Sequence, residues 1–89
     1  MGAMAQYTVR YFAAAAEAAG TEQECFDSAQ APTLDALRAA LAERYGASMA
    51  RVLRGGSFLV DGTVRRGGDL RIGADGAAVV DVLPPFAGG

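Results

Sequence analysis

Thr33-Leu34-Asp35-Ala36-Leu37-Arg38-Ala39-Ala40-Leu41-Ala42-Glu43-Arg44-Tyr45-Gly46 is the stretch whose periodicity decides the fold. Leu34, Leu37, Leu41 and Tyr45 recur at spacings of three, four and four, one stripe of a 3.6-residue helix. Thr33 supplies an N-cap hydroxyl, and Asp35 sits in the first turn, where the helix dipole favours negative charge. Arg44 occupies the last turn and Gly46 supplies the stop. Burying three leucines and a tyrosine on one side contributes about 6–10 kcal/mol before entropy is subtracted. This is the core-packing helix.

Strand patterns flank it on both sides. Gln6 to Phe12 is rich in β-branched and aromatic residues, with Tyr7, Val9 and Tyr11 on one face and Thr8, Arg10 and Phe12 on the other. Ala13 to Ala19, closed by Gly20, suits a short helix. Glu24 to Asp27 reads as a second strand, and Ser28 to Pro32 leads into the main helix. After it, Ser57 to Val60 and Thr63 to Arg65 flank Asp61-Gly62, the strongest short-range hairpin signal. Glycines 67, 68, 73 and 76 punctuate a short apolar piece, Leu70 to Ile72. Val79 to Leu83 is the final strand, Val80 and Val82 facing one way and Val79, Asp81 and Leu83 the other. Strands flanking one main helix, with a short second helix, predict an α+β fold: a mixed sheet with the main helix laid across it.

Composition narrows the chemistry. The 89 residues carry a formal net charge of -2, room for one domain and no general attraction for nucleic acid or anionic lipid. No histidine is present, which excludes Ser-His-Asp triads, Cys-His dyads and imidazole metal sites. One cysteine, Cys25, excludes an internal disulfide and a cysteine-based metal centre; it reads as a small apolar strand residue. All eight basic residues are arginine, so no lysine exists. The apolar run Tyr11 to Ala16 is far shorter than the ~18 residues of a membrane span, and no secretory leader is evident. These features predict a cytoplasmic protein with no membrane partner and no metal. Residues 1–3, before Met4, read as an expression scar, 4–83 as the domain, and 84–89 as a flexible tail.

The tail is the informative segment: Leu83-Pro84-Pro85-Phe86-Ala87-Gly88-Gly89. Proline pushes Leu83 extended, and Pro84-Pro85 forms a polyproline-like rod without donors. From Pro84 to Gly89 the chain reaches at most ~20 Å at ~3.3 Å per residue. Two terminal glycines leave the last carbonyl with no side chain near it, so a narrow channel could admit it and a nucleophile could approach it.

Other motifs read blandly. Arg54-Gly55-Gly56 and Arg66-Gly67-Gly68 superficially match RNA-binding elements, but two isolated copies in an acidic chain read as turns. Gly73 to Gly76 lacks the spacing and the lysine of a phosphate loop. Asp61, Asp69, Asp75 and Asp81 lack metal-loop spacing and read as solvated turns and an exposed strand face.

Pro84-Pro85-Phe86-Ala87-Gly88-Gly89 resembles the C-terminus of the molybdopterin synthase small subunits, MoaD/ThiS-type sulfur carriers with a ubiquitin-like β-grasp fold. Similarity extends to Tyr11-Phe12-Ala13 with Glu17 and Gly20, to Thr33-Leu34-Asp35-Ala36-Leu37, and to Val60-Asp61-Gly62-Thr63-Val64. The family often carries an arginine where Ala16 stands, and residues 65–78 are longer and richer in glycine than its pattern. The resemblance implies that a partner adenylating, ubiquitin-activating-like enzyme uses ATP to turn the Gly89 carboxylate into a mixed anhydride. A sulfur donor protein then displaces adenylate, leaving a thiocarboxylate on Gly89. The tail, Pro84, Pro85, Phe86, Ala87 and Gly88, would enter the large subunit, where the sulfur attacks a pterin precursor in molybdenum cofactor biosynthesis. Phe12, Val64 and Leu83 match positions that pack on that large subunit. This chain would bind no cofactor, and it would donate sulfur as a non-catalytic subunit active only with its large subunit. A carrier feeding thiazole or cysteine synthesis, and a ubiquitin-like modifier, are the alternative roles.

Overall fold

The structure is a computed structural model that describes residues 6–66, 68 and 79–85. The elements run β1 (Gln6–Tyr11), α1 (Ala14–Ala19), β2 (Gln23–Asp27), α2 (Leu34–Tyr45), α3 (Ala47–Gly55), β3 (Ser57–Val60), β4 (Thr63–Arg65) and β5 (Val79–Leu83). The short apolar piece Leu70 to Ile72, the Gly73 to Gly76 stretch, Asp69 and Asp75 lie outside the described residues.

The strands form one mixed sheet in the order β2-β1-β5-β3-β4. The first and last strands are parallel neighbours at its centre, with Val9 opposite Val80 and Tyr11 opposite Val82. Such a pairing requires a crossover, and the helices supply it while covering one face of the sheet. The alternation read from sequence holds. Tyr7, Val9 and Tyr11 of β1 and Val80 and Val82 of β5 are buried with Phe26, Phe58 and Val60 against the helices.

Helix α2 forms as its stripe requires. Thr33 Oγ1 accepts a hydrogen bond from the Ala36 N–H at 3.1 Å, and Leu34, Leu37 and Leu41 are fully buried. Tyr45 differs from its three leucine neighbours, being only partly buried. Its hydroxyl donates to Glu24 Oε2, the same oxygen that takes the Tyr11 hydroxyl, while Arg44 holds Glu24 Oε1 at 2.8 Å. Four side chains from three elements thus fasten β1 and β2 to the end of α2.

Helix α3 is an element that the sequence reading lacks. Met49, Val52 and Leu53 recur at the helical spacing of three and four and are buried. Arg54-Gly55-Gly56, read as a turn, is corrected by the structure: Arg54 and Gly55 close α3, and Gly56 is its C-cap. Gly46 serves both helices. Its φ of 82° reverses the chain at once, so the residue that stops α2 also starts α3.

The hairpin turn is as expected. Asp61 and Gly62 have φ values of 48° and 90°, the left-handed pair that a two-residue hairpin needs. The Asp61 carboxylate is more than a solvated turn group, because it accepts from the Val79 N–H at 3.0 Å and fixes the start of β5.

The protein's three tyrosines, Tyr7, Tyr11 and Tyr45, share one electrostatic condition. Burial pushes each phenol above its ordinary value, and for Tyr11 and Tyr45 the adjacent Glu24 carboxylate adds to the effect. A group whose folded pKa is raised contributes stability that is complete below its unfolded value, about 10 for tyrosine, and is lost as pH climbs above it. Tyrosinate absorbance is therefore expected to stay silent in the native protein past pH ~10 and then rise together with loss of circular dichroism. Smooth ionisation near pH ~10 with the fold intact would contradict this arrangement.

Candidate tail-presentation site

Strand β5 carries the tail out of the sheet centre, between β1 and β3. Its last residue, Leu83, lies opposite Ser57, and the Phe12 N–H donates to the Val82 carbonyl at 3.3 Å. Phe12 and the tail base are therefore brought together by the β1–β5 ladder. Ala13, next along, has φ 51° and ψ -122°, a conformation that costs a non-glycine residue about 1–3 kcal/mol. It breaks the strand and leaves Phe12 turned outward, 41% exposed.

The end of α3 forms the other wall. A Cβ on Gly56 would stand 2.1 Å from the Leu83 carbonyl oxygen and 2.7 Å from the Val52 carbonyl oxygen. A Cβ on Gly55 would lie 3.3 Å from Pro85 Cβ. The Gly-Gly pair lets the helix end lie directly against the outgoing chain. Ala13, Gly55, Ser57, Arg66, Leu83, Pro84 and Pro85 line a groove of about 620 Å³ at this point. Pro85 is exposed and Pro84 and Leu83 are partly buried, so the rod leaves the body with one side supported.

The sheet face away from the helices extends from this base. Across it run Arg10, Asp81, Leu59 and Val64, each opposite the next in the ladder. Val64 is 62% exposed. It stands on the edge strand, two strands from β5, so the structure groups Phe12 with Leu83 and places Val64 at a distance of about 10 Å in the sheet. Leu59, partly buried between them, is a residue of this face that sequence reasoning missed, although its alternation with Phe58 and Val60 marks it.

Asp81 is a correction. Expected on an exposed strand face, it is 7% exposed, and its two carboxylate oxygens take Arg10 Nε at 2.6 Å and Nη2 at 2.9 Å. The long arginine covers the aspartate, and the hydrogen bond to Asp81 raises the guanidinium pKa further. The Arg10 guanidinium also lies 5.8 Å from the Phe12 ring centroid. One arginine thus joins the centre of the outer face to its aromatic rim. Cys25, expected as a small apolar strand residue, is exposed on β2, opposite Thr8.

Phe86, Ala87, Gly88 and Gly89 lie outside the described residues, as do residues 1–3. Among the described residues, no helix is long and apolar enough to cross a membrane.

A five-stranded mixed sheet with parallel central first and last strands, crossed by helices and releasing a Pro-Pro rod from its central strand, defines a ubiquitin-like β-grasp domain. A model of the ThiS family matches residues 9–89, and the chain belongs to that family of ubiquitin-like sulfur carriers. A search of curated proteins found no match. The fold is similar to the solution structure of the small archaeal modifier protein 1 from Methanosarcina acetivorans, with a TM-score of 0.71 and 24% identity over 99% of this chain and 100% of that one. It is also similar to the Haloferax volcanii HVO 2177 protein, with a TM-score of 0.72 and 21% identity over 97% of this chain and 88% of that one. Carriers of the MoaD/ThiS type work with activating enzymes and partner enzymes.

Proposed function

We propose that this chain is the sulfur-carrying small subunit of a molybdopterin synthase, acting in the cytoplasm. The observation that carries the reading is Pro84-Pro85 at the end of the central strand, followed in sequence by Phe86-Ala87-Gly88-Gly89. A terminal carboxylate is ionised at neutral pH and is a poor acyl donor. Attack of its oxygen on the α-phosphate of ATP, within the activating enzyme, expels pyrophosphate and gives an acyl-adenylate. Sulfide-level sulfur released by the donor protein then attacks the Gly89 carbonyl, AMP leaves, and the proton goes to solvent. The resulting thiocarboxylate enters the large subunit and gives its sulfur to the pterin precursor. The chain's part is to present an unhindered carbonyl on a short rod; acid–base chemistry belongs to its partners.

A second reading has one observation in its favour: the similarity in fold to a protein named as a small archaeal modifier. As a modifier, Gly89 would be passed to a lysine of another protein, since this chain has no lysine of its own. Mass spectrometry of the intact protein after incubation with its activating enzyme, ATP and a sulfur donor separates the two. Replacement of one oxygen by sulfur at Gly89 supports the carrier, whereas isopeptide-linked adducts on other proteins support the modifier.

The outer face supplies a further expectation. An exposed aromatic beside the tail base fits the core of an apolar interface. Phe12→Ala is expected to weaken large-subunit binding by about 2–4 kcal/mol with little loss of thermal stability. Unchanged affinity by calorimetry, with a lowered melting temperature, would place Phe12 in a structural role instead.

A further inference from the structure

The arginines divide into two kinds. Arg10 and Arg44 are held in ion pairs with Asp81 and Glu24. Among the described residues no ion pair holds Arg38, Arg51, Arg54, Arg65 or Arg66, and these, Arg51 apart, gather at one corner of the molecule. The Arg38 guanidinium lies 5.8 Å from the Phe58 ring centroid, and Arg65 stands opposite Phe58 in the β3–β4 ladder. Arg38 Nη2 donates to the Arg66 carbonyl, and Arg38 and Arg54 line the shallow groove between α2 and α3. Asp35, one turn earlier on α2, is engaged with the Gly68 N–H at 2.8 Å.

This corner adjoins the tail base. Arg66 lines the groove with Pro84 and Pro85, and Arg54 immediately precedes the Gly55 on which Pro85 rests. Arg66 and Gly55, one from each of the two Arg-Gly-Gly stretches that sequence reading took as isolated turns, converge on the point where the tail leaves the body. Among the described residues, a chain of net charge -2 has therefore concentrated an excess of positive charge, four arginines to the one Asp35 carboxylate, beside the segment that a partner must receive.

We propose that Arg38, Arg54, Arg65 and Arg66 form a basic rim that docks an acidic protein surface flanking the channel into which the tail inserts. The proposal rests on the tail-insertion reading above. Its partner is a protein rather than a nucleic acid on two grounds. The overall negative charge opposes a long polyanion. The rim also borders apolar Leu83, Pro84 and Pro85, and an apolar centre bounded by arginine is the anatomy of a protein–protein interface. Charges at such a rim act chiefly on association rate, by steering the partner into register.

The test uses the full-length protein labelled with nitrogen-15 and a hexaglutamate peptide as probe, with inorganic phosphate and an oligothymidylate as comparisons. Hexaglutamate is expected to shift the amides of Arg38, Arg54, Gly55, Arg65 and Arg66 together, with binding falling about tenfold between roughly 50 and 300 mM NaCl. R54Q/R66Q should remove that response, while R51E, which changes net charge by the same amount on another part of α3, should keep it. Arg51 lines a separate groove with Ala14 and Glu17. No localised response to the peptide, equal loss in R51E, or tighter binding of the oligothymidylate at the same amides would overturn the proposal. With the large subunit, R54Q/R66Q should lower the association rate about tenfold at low salt with the dissociation rate retained. An unchanged association rate also counts against the rim. Failure of the unsubstituted chain to be adenylated counts against the carrier reading, and the peptide titration then judges the rim by itself.

Discussion

Gly56→Ala is expected to be among the most damaging single substitutions in the protein, although it adds one methyl group. The backbone conformation at Gly56, φ -91° and ψ -167°, is open to any residue, so the cost is one of space and not of strain. Its Cβ would stand 2.1 Å from the Leu83 carbonyl oxygen and 2.7 Å from that of Val52, and both obstacles are main chain. A side chain can rotate away, but a carbonyl in a sheet or a helix end moves only with its element. Relief requires the end of α3 to separate from β5, which breaks the close approach on which the tail base is built. We expect a loss of about 3 kcal/mol, a fall in melting temperature of roughly 12–24 °C for a domain of this size. Gly55→Ala, where the Cβ would meet only the Pro85 ring at 3.3 Å, should cost far less. Comparable melting temperatures for the two variants would show that the α3 end is free to shift.

Removal of Gly89 should have the opposite signature, a total functional loss with the fold untouched. Among the described residues the buried core ends at Val82. Truncation is therefore expected to leave the described core intact, and the thermal melt should be superimposable on that of the intact chain. Transfer of sulfur should nonetheless vanish. The new terminal carboxylate on Gly88 sits one residue short, up to ~3.3 Å from where a partner site built for the full tail expects it, and misplacement of even ~1 Å can cost a reaction about a hundredfold. Gly88→Phe should fail equally, by blocking the channel and the approach to the carbonyl. Mass analysis for the thiocarboxylate, run beside the melt, checks both at once. A large drop in stability on deleting Gly89 would mean that the tail is structural.

These two results read different parts of the molecule, and they differ in how far sequence alone reaches. The stripe Leu34, Leu37 and Leu41, the alternation in β1 and β5, the Asp61-Gly62 turn and the Pro84-Pro85 rod are all local patterns. Each is set by helix or strand periodicity or by the φ values a residue type accepts, so each is legible in order along the chain. Helix α3 carried a comparable signal in Met49, Val52 and Leu53, but Gly46 and the Arg-Gly-Gly run look like punctuation when read in isolation. Gly46 proves to be a joint between two helices, and Gly55-Gly56 a helix end.

By itself, then, the sequence determined the strands β1, β3, β4 and β5, the main helix with its leucine stripe and the presence of a slender Gly-Gly tail, because these depend on short-range periodicity and backbone sterics. Only the tertiary structure decided what stands beside that tail. Asp81 reads as solvent-facing until Arg10, 71 positions earlier in the chain, is laid across it by the parallel β1–β5 pairing. Gly56 reads as a turn until Leu83 is seen against it, and Arg54 and Arg66 as unrelated until Gly55, the neighbour of Arg54, lines one groove with Arg66. Such juxtapositions are made by chain crossovers, and no local rule of charge, size or spacing encodes which distant residue will arrive.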